Sequence, residues 1–119
     1  MKSYNFNVRT DITRSMNAYN KTQSEIRFNT LDAVLLNLIR SFSESDTEFY
    51  MSNKELAQIL IADPSTVQRS VDRLVKSELI TKKIVYVNNR PKRVLVYEKD
   101  NVQEVLNVGE LFGELHGEL

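Results

Sequence analysis

LAQILIADPSTVQRSVDRL, from Leu56 to Leu74, contains two apolar periodicities separated by a very short break. In the first half Leu56, Ile59 and Leu60 recur at helical spacing, and Ala57 is small enough to let a second helix come close. Just upstream, Ser52-Asn53-Lys54-Glu55 has the spacing of a capping box, in which serine and glutamate each bond the other's backbone N–H. The pattern predicts a helix over roughly 53 to 60. A new helix then starts at Asp63-Pro64, where aspartate caps free N–H groups and proline at the first helical position has no N–H to leave unpaired. Only Ile61 and Ala62 lie between, which forces the two helices into a tight angle. From Pro64 to residue 77 the inward positions are Val67, Val71, Leu74 and Val75, with Ser70 on the flank.

Working outward, TLDAVLLNLIRSF predicts another core helix over roughly 30 to 42, capped by Thr30 and apolar at Leu31, Val34, Leu35, Leu38, Ile39 and Phe42. SESDTE reads as a solvated loop and EFYM as a short extended segment. Beyond residue 77, SELITKKIVYVNNRPKRVLVYEKD contains two extended runs, Ile80 to Val87 and Val94 to Tyr97, as expected of a hairpin. Asn88 and Asn89 tolerate positive φ better than most residues, and Pro91 argues that the strand ladder has ended before it.

Both ends of the chain are less regular. Residues 1–29 read as an amino-terminal arm, with a short strand in YNFNV and a weak helix in SMNAYNKTQSEI. Residues 30–100 form the domain proper, and residues 101–119 an acidic helix or tail. Val102, Val105, Leu106, Leu111, Phe112 and Leu115 keep near-helical spacing, but Gly109, Gly113 and Gly117 each cost about 0.5 to 1 kcal/mol against alanine in a helix. A helix over 101–108 is expected. The segment after Gly109 is either a partner or dimerisation helix or a partly disordered acidic tail.

Composition narrows the functional classes. The formal net charge is zero, yet residues 51–99 carry ten basic and five acidic side chains while residues 100–119 carry none and five. That separation suggests a surface facing a polyanion with an acidic appendage. No apolar run approaches the roughly 18 residues that would cross a bilayer, and MKSYNFNVRT lacks the apolar segment of a secretory signal, so a cytoplasmic protein without membrane attachment is expected. Without cysteine there is no disulfide framework or thiolate chemistry. Residues 1–108 contain no glycine, which leaves no phosphate-binding loop or dinucleotide fingerprint there, and His116 is the lone histidine. Catalysis, a bound cofactor and a metal site are not expected. Glu44, Asp46 and Glu48 read as solvated loop carboxylates.

The outward face of the helix from Pro64 suggests a function. Ser65, Thr66, Gln68, Arg69, Arg73 and Lys76 point away from the apolar stripe, and no acidic residue lies between Pro64 and Ser70. Arginine bridges two acceptors on guanine, glutamine bonds adenine bidentately, and hydroxyls reach phosphate or base. Asn89, Arg90, Lys92 and Arg93 place three cations at the hairpin tip, suited to a phosphate or minor-groove contact. A solvated polar face with no partner is the plain alternative.

MSNKELAQILIADPSTVQRSVDRLVKSELI, Met51 to Ile80, followed by that basic hairpin, resembles the winged helix-turn-helix domains of MarR-like regulators and of the front part of phage and plasmid replication initiators. The resemblance covers the stretch from Asn29 to Lys99. The family pattern usually has glycine where Ile61 stands, and often where Glu78 stands. The resemblance implies a mainly helical α+β fold with three core helices and a β-hairpin wing. It further implies that Ser65, Thr66, Gln68 and Arg69 face base edges while Arg73, Lys76 and the wing cations hold the phosphate backbone. The expected function is duplex DNA binding, first as a transcriptional regulator of the kind a phage or plasmid encodes. The alternatives are an accessory in replication or conjugative transfer and, from another class, a winged-helix interaction module without DNA binding. Homodimerisation is expected because one such domain covers only a short site, and the tail is available to a protein partner.

Overall fold

The computed structural model describes residues 10–22 and 26–116, and the side chains of 12–20 and 26–107 within them. The strand expected over YNFNV lies outside the described residues. Among those described, five helices and one antiparallel hairpin follow in the order α1 (Thr10–Thr22), α2 (Thr30–Glu44), α3 (Asn53–Leu60), α4 (Pro64–Lys76), β1 (Ile80–Val87), β2 (Arg90–Tyr97) and α5 (Lys99–His116). This mainly helical α+β arrangement is compatible with a winged helix.

α2 is the central helix. Ala33, Leu35, Leu36, Leu38 and Ile39 are all buried, whereas Leu31 and Val34 are only half-buried. Its apolar surface is therefore wider than one stripe, since α1, α4 and β2 pack around it. Its cap is Asn29 rather than Thr30. The Asn29 side chain accepts from the Asp32 N–H at 3.0 Å, and Asp32 Oδ2 accepts from the Asn29 N–H at 3.0 Å, so aspartate takes the place usual for glutamate in a reciprocal box. The helix ends two residues later than expected, with Asp46 turning the chain at a φ of 54°. Phe42 and Phe49 then meet edge to face at 4.8 Å. Leu95 donates its N–H to the Phe49 carbonyl, so the expected extended segment adds a short bridge to the outer edge of β2.

The hairpin differs from expectation at Pro91, which lies inside β2 opposite Tyr86. Asn88 and Asn89, with φ of 53° and 62°, form the two-residue turn favoured between twisted strands. With that turn Val87 and Arg90 close the ladder, and in antiparallel pairing the next pair exchanges no backbone bonds. Pro91 occupies that next position and needs no N–H. Leu95, four residues on and of the same parity, confirms the phase by donating outward to Phe49.

The ends belong to the same core as the middle. α1 is a full helix within the stretch read as an arm, and it packs on α5. Ile12, Met16, Val102 and Val105 join Leu35, Leu56, Val71 and Leu95 in one buried cluster. Asn20 fastens the end of α1 to the chain before α2: its Nδ2 donates to the Phe28 carbonyl and its Oδ1 accepts from the Phe28 N–H, both at 2.7 Å. α5 continues as helix through Gly109 and Gly113 to His116. The side chains of the GELF repeat lie outside the described residues.

Candidate nucleic-acid interface

Local chemistry aims α4. Ser52 and Glu55 form the capping box expected at the start of α3, with Ser52 Oγ accepting from the Glu55 N–H at 3.2 Å and Glu55 Oε1 accepting from the Ser52 N–H at 3.3 Å. α3 is stopped by Ile61 in the left-handed region, at φ 52° and ψ 58°, while the Ala62 N–H returns to the Ala57 carbonyl. A β-branched residue there costs about 1–2 kcal/mol. It is tolerated because the turn between α3 and α4 is too short for another route. Asp63 stands at the N-cap of α4, but its side chain makes no capping bond; Pro64 alone supplies the expected start. At the far end Glu78 is also left-handed, at φ 64°. Glu78 and Leu79 donate to the carbonyls of Val75 and Leu74, a Schellman stop in which buried Leu74 and Leu79 meet. Both positions where glycine is usual thus adopt the conformation that favours glycine.

The side of α4 that packs inward carries Val67, Ser70, Val71 and Leu74, all buried. Ser65, Arg69 and Lys76 are exposed, while Thr66, Gln68 and Arg73 are half-buried. Asn89, Arg90 and Lys92 are exposed at the tip of the hairpin. Lys82 and Lys83 on β1 are exposed too; by register Lys83 shares its face of the hairpin with Arg90 and Lys92 and enlarges that cationic surface, while Lys82 lies on the opposite face. Adjacent lysines in a strand place one charge on each face, a signal the sequence does contain.

Two arginines expected at the phosphate backbone are engaged within the protein. Arg73 donates from Nε to Asp32 Oδ2 at 2.8 Å and from Nη2 to Asp32 Oδ1 at 2.9 Å, a fork on a carboxylate with no exposure. The hydrogen bond to Asp32 raises the Arg73 pKa against the opposing effect of burial. Ser70 Oγ also donates to Asp32, at 2.5 Å. Asp32 therefore ties the first turn of α2 to the middle of α4 and fixes the roll of α4.

Arg93, within β2, donates from Nη2 to the Met51 carbonyl and from Nη1 to Asn53 Oδ1, both at 2.7 Å. Burial pushes its pKa down. Asn53 in turn donates to Gln68 Oε1, and Gln68 Nε2 donates to Asp72 Oδ1 at 2.7 Å. Asp32 and Asn53 were not legible as site residues, because their partners lie 15 to 41 residues away in sequence.

Among the described residues no group of three or more His, Cys, Asp or Glu is placed to hold a metal ion, and no helix is long and apolar enough to cross a membrane. No protein-family model matches the sequence. No curated protein matches it either. Among solved structures it is similar to a possible transcriptional regulator from Methanosarcina mazei Go1, at 22% identity and a TM-score of 0.53, over 94% of this chain and 84% of that one. At that identity the likeness is one of fold.

Proposed function

We propose that this chain is a winged-helix protein that binds duplex DNA and acts as a transcriptional regulator. α4 enters the major groove by its amino end, and the hairpin lies as a wing along the phosphates beside it. One observation carries the reading: Ser65 and Arg69 are exposed at the front of α4, with no acidic residue from Pro64 to Ser70, next to a hairpin that exposes Lys83, Arg90 and Lys92 on one face. Hydroxyl and guanidinium groups read base edges, and clustered cations release counterions from phosphate. The description of the Methanosarcina protein as a possible regulator supports the same role. The reading includes pairing of two copies, which doubles the footprint on DNA. It includes no catalytic step.

Selection of binding sites from random duplexes, followed by gel shift with the purified chain, tests the proposal. Enrichment of a defined sequence is expected. Failure to bind any duplex in dilute salt, with a protein partner retained instead, overturns it in favour of an interaction module. DNA recovered from cells at promoters supports a regulator, and recovery at an origin points to a replication accessory.

A further inference from the structure

Gln68 suggests adenine by its type, since its amide can accept from N6 and donate to N7 at once. In the fold that amide is already held at both ends. Its Nε2 donates to Asp72, and its Oε1 accepts from Asn53 at the first turn of α3. Asn53 Oδ1 accepts in turn from Arg93.

The polarity of this chain of bonds is set by chemistry. Arg93 has only donors, so Asn53 must present its oxygen to the wing and its nitrogen to Gln68. At the other end the Asp72 carboxylate only accepts, so Gln68 must turn its nitrogen that way and its oxygen toward Asn53. Each terminus enforces the same direction, and neither central amide can flip without losing a bond. Gln68 is left with one uncommitted N–H on Nε2, and Oε1, held toward α3, keeps a second lone pair.

We propose that Asn53 is a specificity-determining positioning residue: it holds the oxygen of Gln68 against α3, so that Gln68 reads DNA as a single hydrogen-bond donor. The base edges it fits are the keto oxygens of the major groove, guanine O6 and thymine O4. A bidentate pair with adenine would require Oε1 to leave Asn53 or to accept a second hydrogen bond. Arg93 then serves the wing by tying β2 to the reading helix. This inference rests on the DNA-binding reading of α4 and names the chemistry that α4 reads.

The decisive variant is Asn53→Asp, nearly isosteric with the wild type. A carboxylate at this position still accepts from Arg93 but cannot donate to Gln68. The two hydrogens of Gln68 Nε2 then go to the two carboxylates, and Oε1 is released as an acceptor. Binding-site selection is run on the full chain as wild type, Gln68→Ala and Asn53→Asp, each checked for a cooperative thermal transition. The base pair whose preference disappears in Gln68→Ala is the one Gln68 reads. Wild type is expected to prefer guanine or thymine there by about tenfold, and Asn53→Asp to move that preference to adenine or cytosine. A wild-type preference for adenine at that base pair, or an unchanged preference in Asn53→Asp, overturns the proposal while leaving DNA binding intact. Enrichment of no sequence by wild type overturns the DNA-binding reading and this proposal together. In the free protein, Asp72→Ala is expected to shift the side-chain amide resonances of both Gln68 and Asn53; an unmoved Asn53 overturns the relay without reference to DNA.

Discussion

Asp32→Ala removes a residue that serves two helices at once, α2 and α4. Its carboxylate accepts from the Asn29 N–H, from Ser70 Oγ and twice from Arg73, with no exposure to solvent. Breaking a buried pair by deleting one partner costs about 3–5 kcal/mol, and the lost hydrogen bond from the Asn29 N–H about 1 kcal/mol, while the Asn29 cap itself remains. The Arg73 side chain keeps 28% of its exposure, so its guanidinium recovers some hydration and the lower end of the first range applies. The expected total is about 4 kcal/mol, a large part of the roughly 5–15 kcal/mol that holds such a domain together. For a chain of this size that lowers Tm by on the order of 15 °C. Urea and thermal unfolding of Asp32→Ala, Arg73→Ala and the double variant give the loss and the coupling between the two sites. A loss below about 1 kcal/mol for Asp32→Ala, or strictly additive single changes, refutes the lock between α2 and α4.

Ile61→Gly is expected to stabilise the protein by up to about 1 kcal/mol, because Ile61 is 93% exposed in a left-handed conformation that glycine adopts freely; a lower urea midpoint would show that its side chain packs. Arg69→Ala should lose about 1–3 kcal/mol against a selected site and relax one base preference, with unfolding unchanged. Arg90→Ala and Lys92→Ala should weaken all sequences alike and each reduce the salt slope by about one, which parallel slopes in a salt titration would contradict. Arg93→Ala should instead lower the unfolding midpoint, since its guanidinium bonds Met51 and Asn53 within the protein.

The sequence carried the central elements because their determinants are local. The Ser52–Glu55 box, the Pro64 start and the Asn88-Asn89 turn each depend on residues within a few positions. Periodicity placed Val67, Val71 and Leu74 inward, and the structure buries all three. α1 was harder to read: Ile12, Met16 and Tyr19 do recur at helical spacing, but among Thr, Ser, Asn and Asp, which form helices poorly. Its stability comes from α5, at the opposite end of the chain, and packing of that kind leaves little trace in a local window. At the candidate interface, exposure was legible for Ser65, Arg69, Arg90 and Lys92. The engagement of Arg73 and Arg93 was not, because a basic side chain reads as outward until a distant acceptor is found. For Arg73 that acceptor is Asp32, 41 residues earlier. Pro91 shows the same limit in a strand: whether its missing N–H matters depends on the phase of the ladder, which the turn decides.

Two-dimensional amide NMR of the labelled full chain during titration with a selected duplex tests whether α4 and the hairpin meet DNA. Resonances of α4 from Ser65 to Arg69, and of the hairpin from Lys82 to Arg93, are expected to move first and farthest, while those of α1 and α5 stay nearly still. Shifts confined to α1 and α5, or a spectrum unchanged at low salt, would contradict that contact.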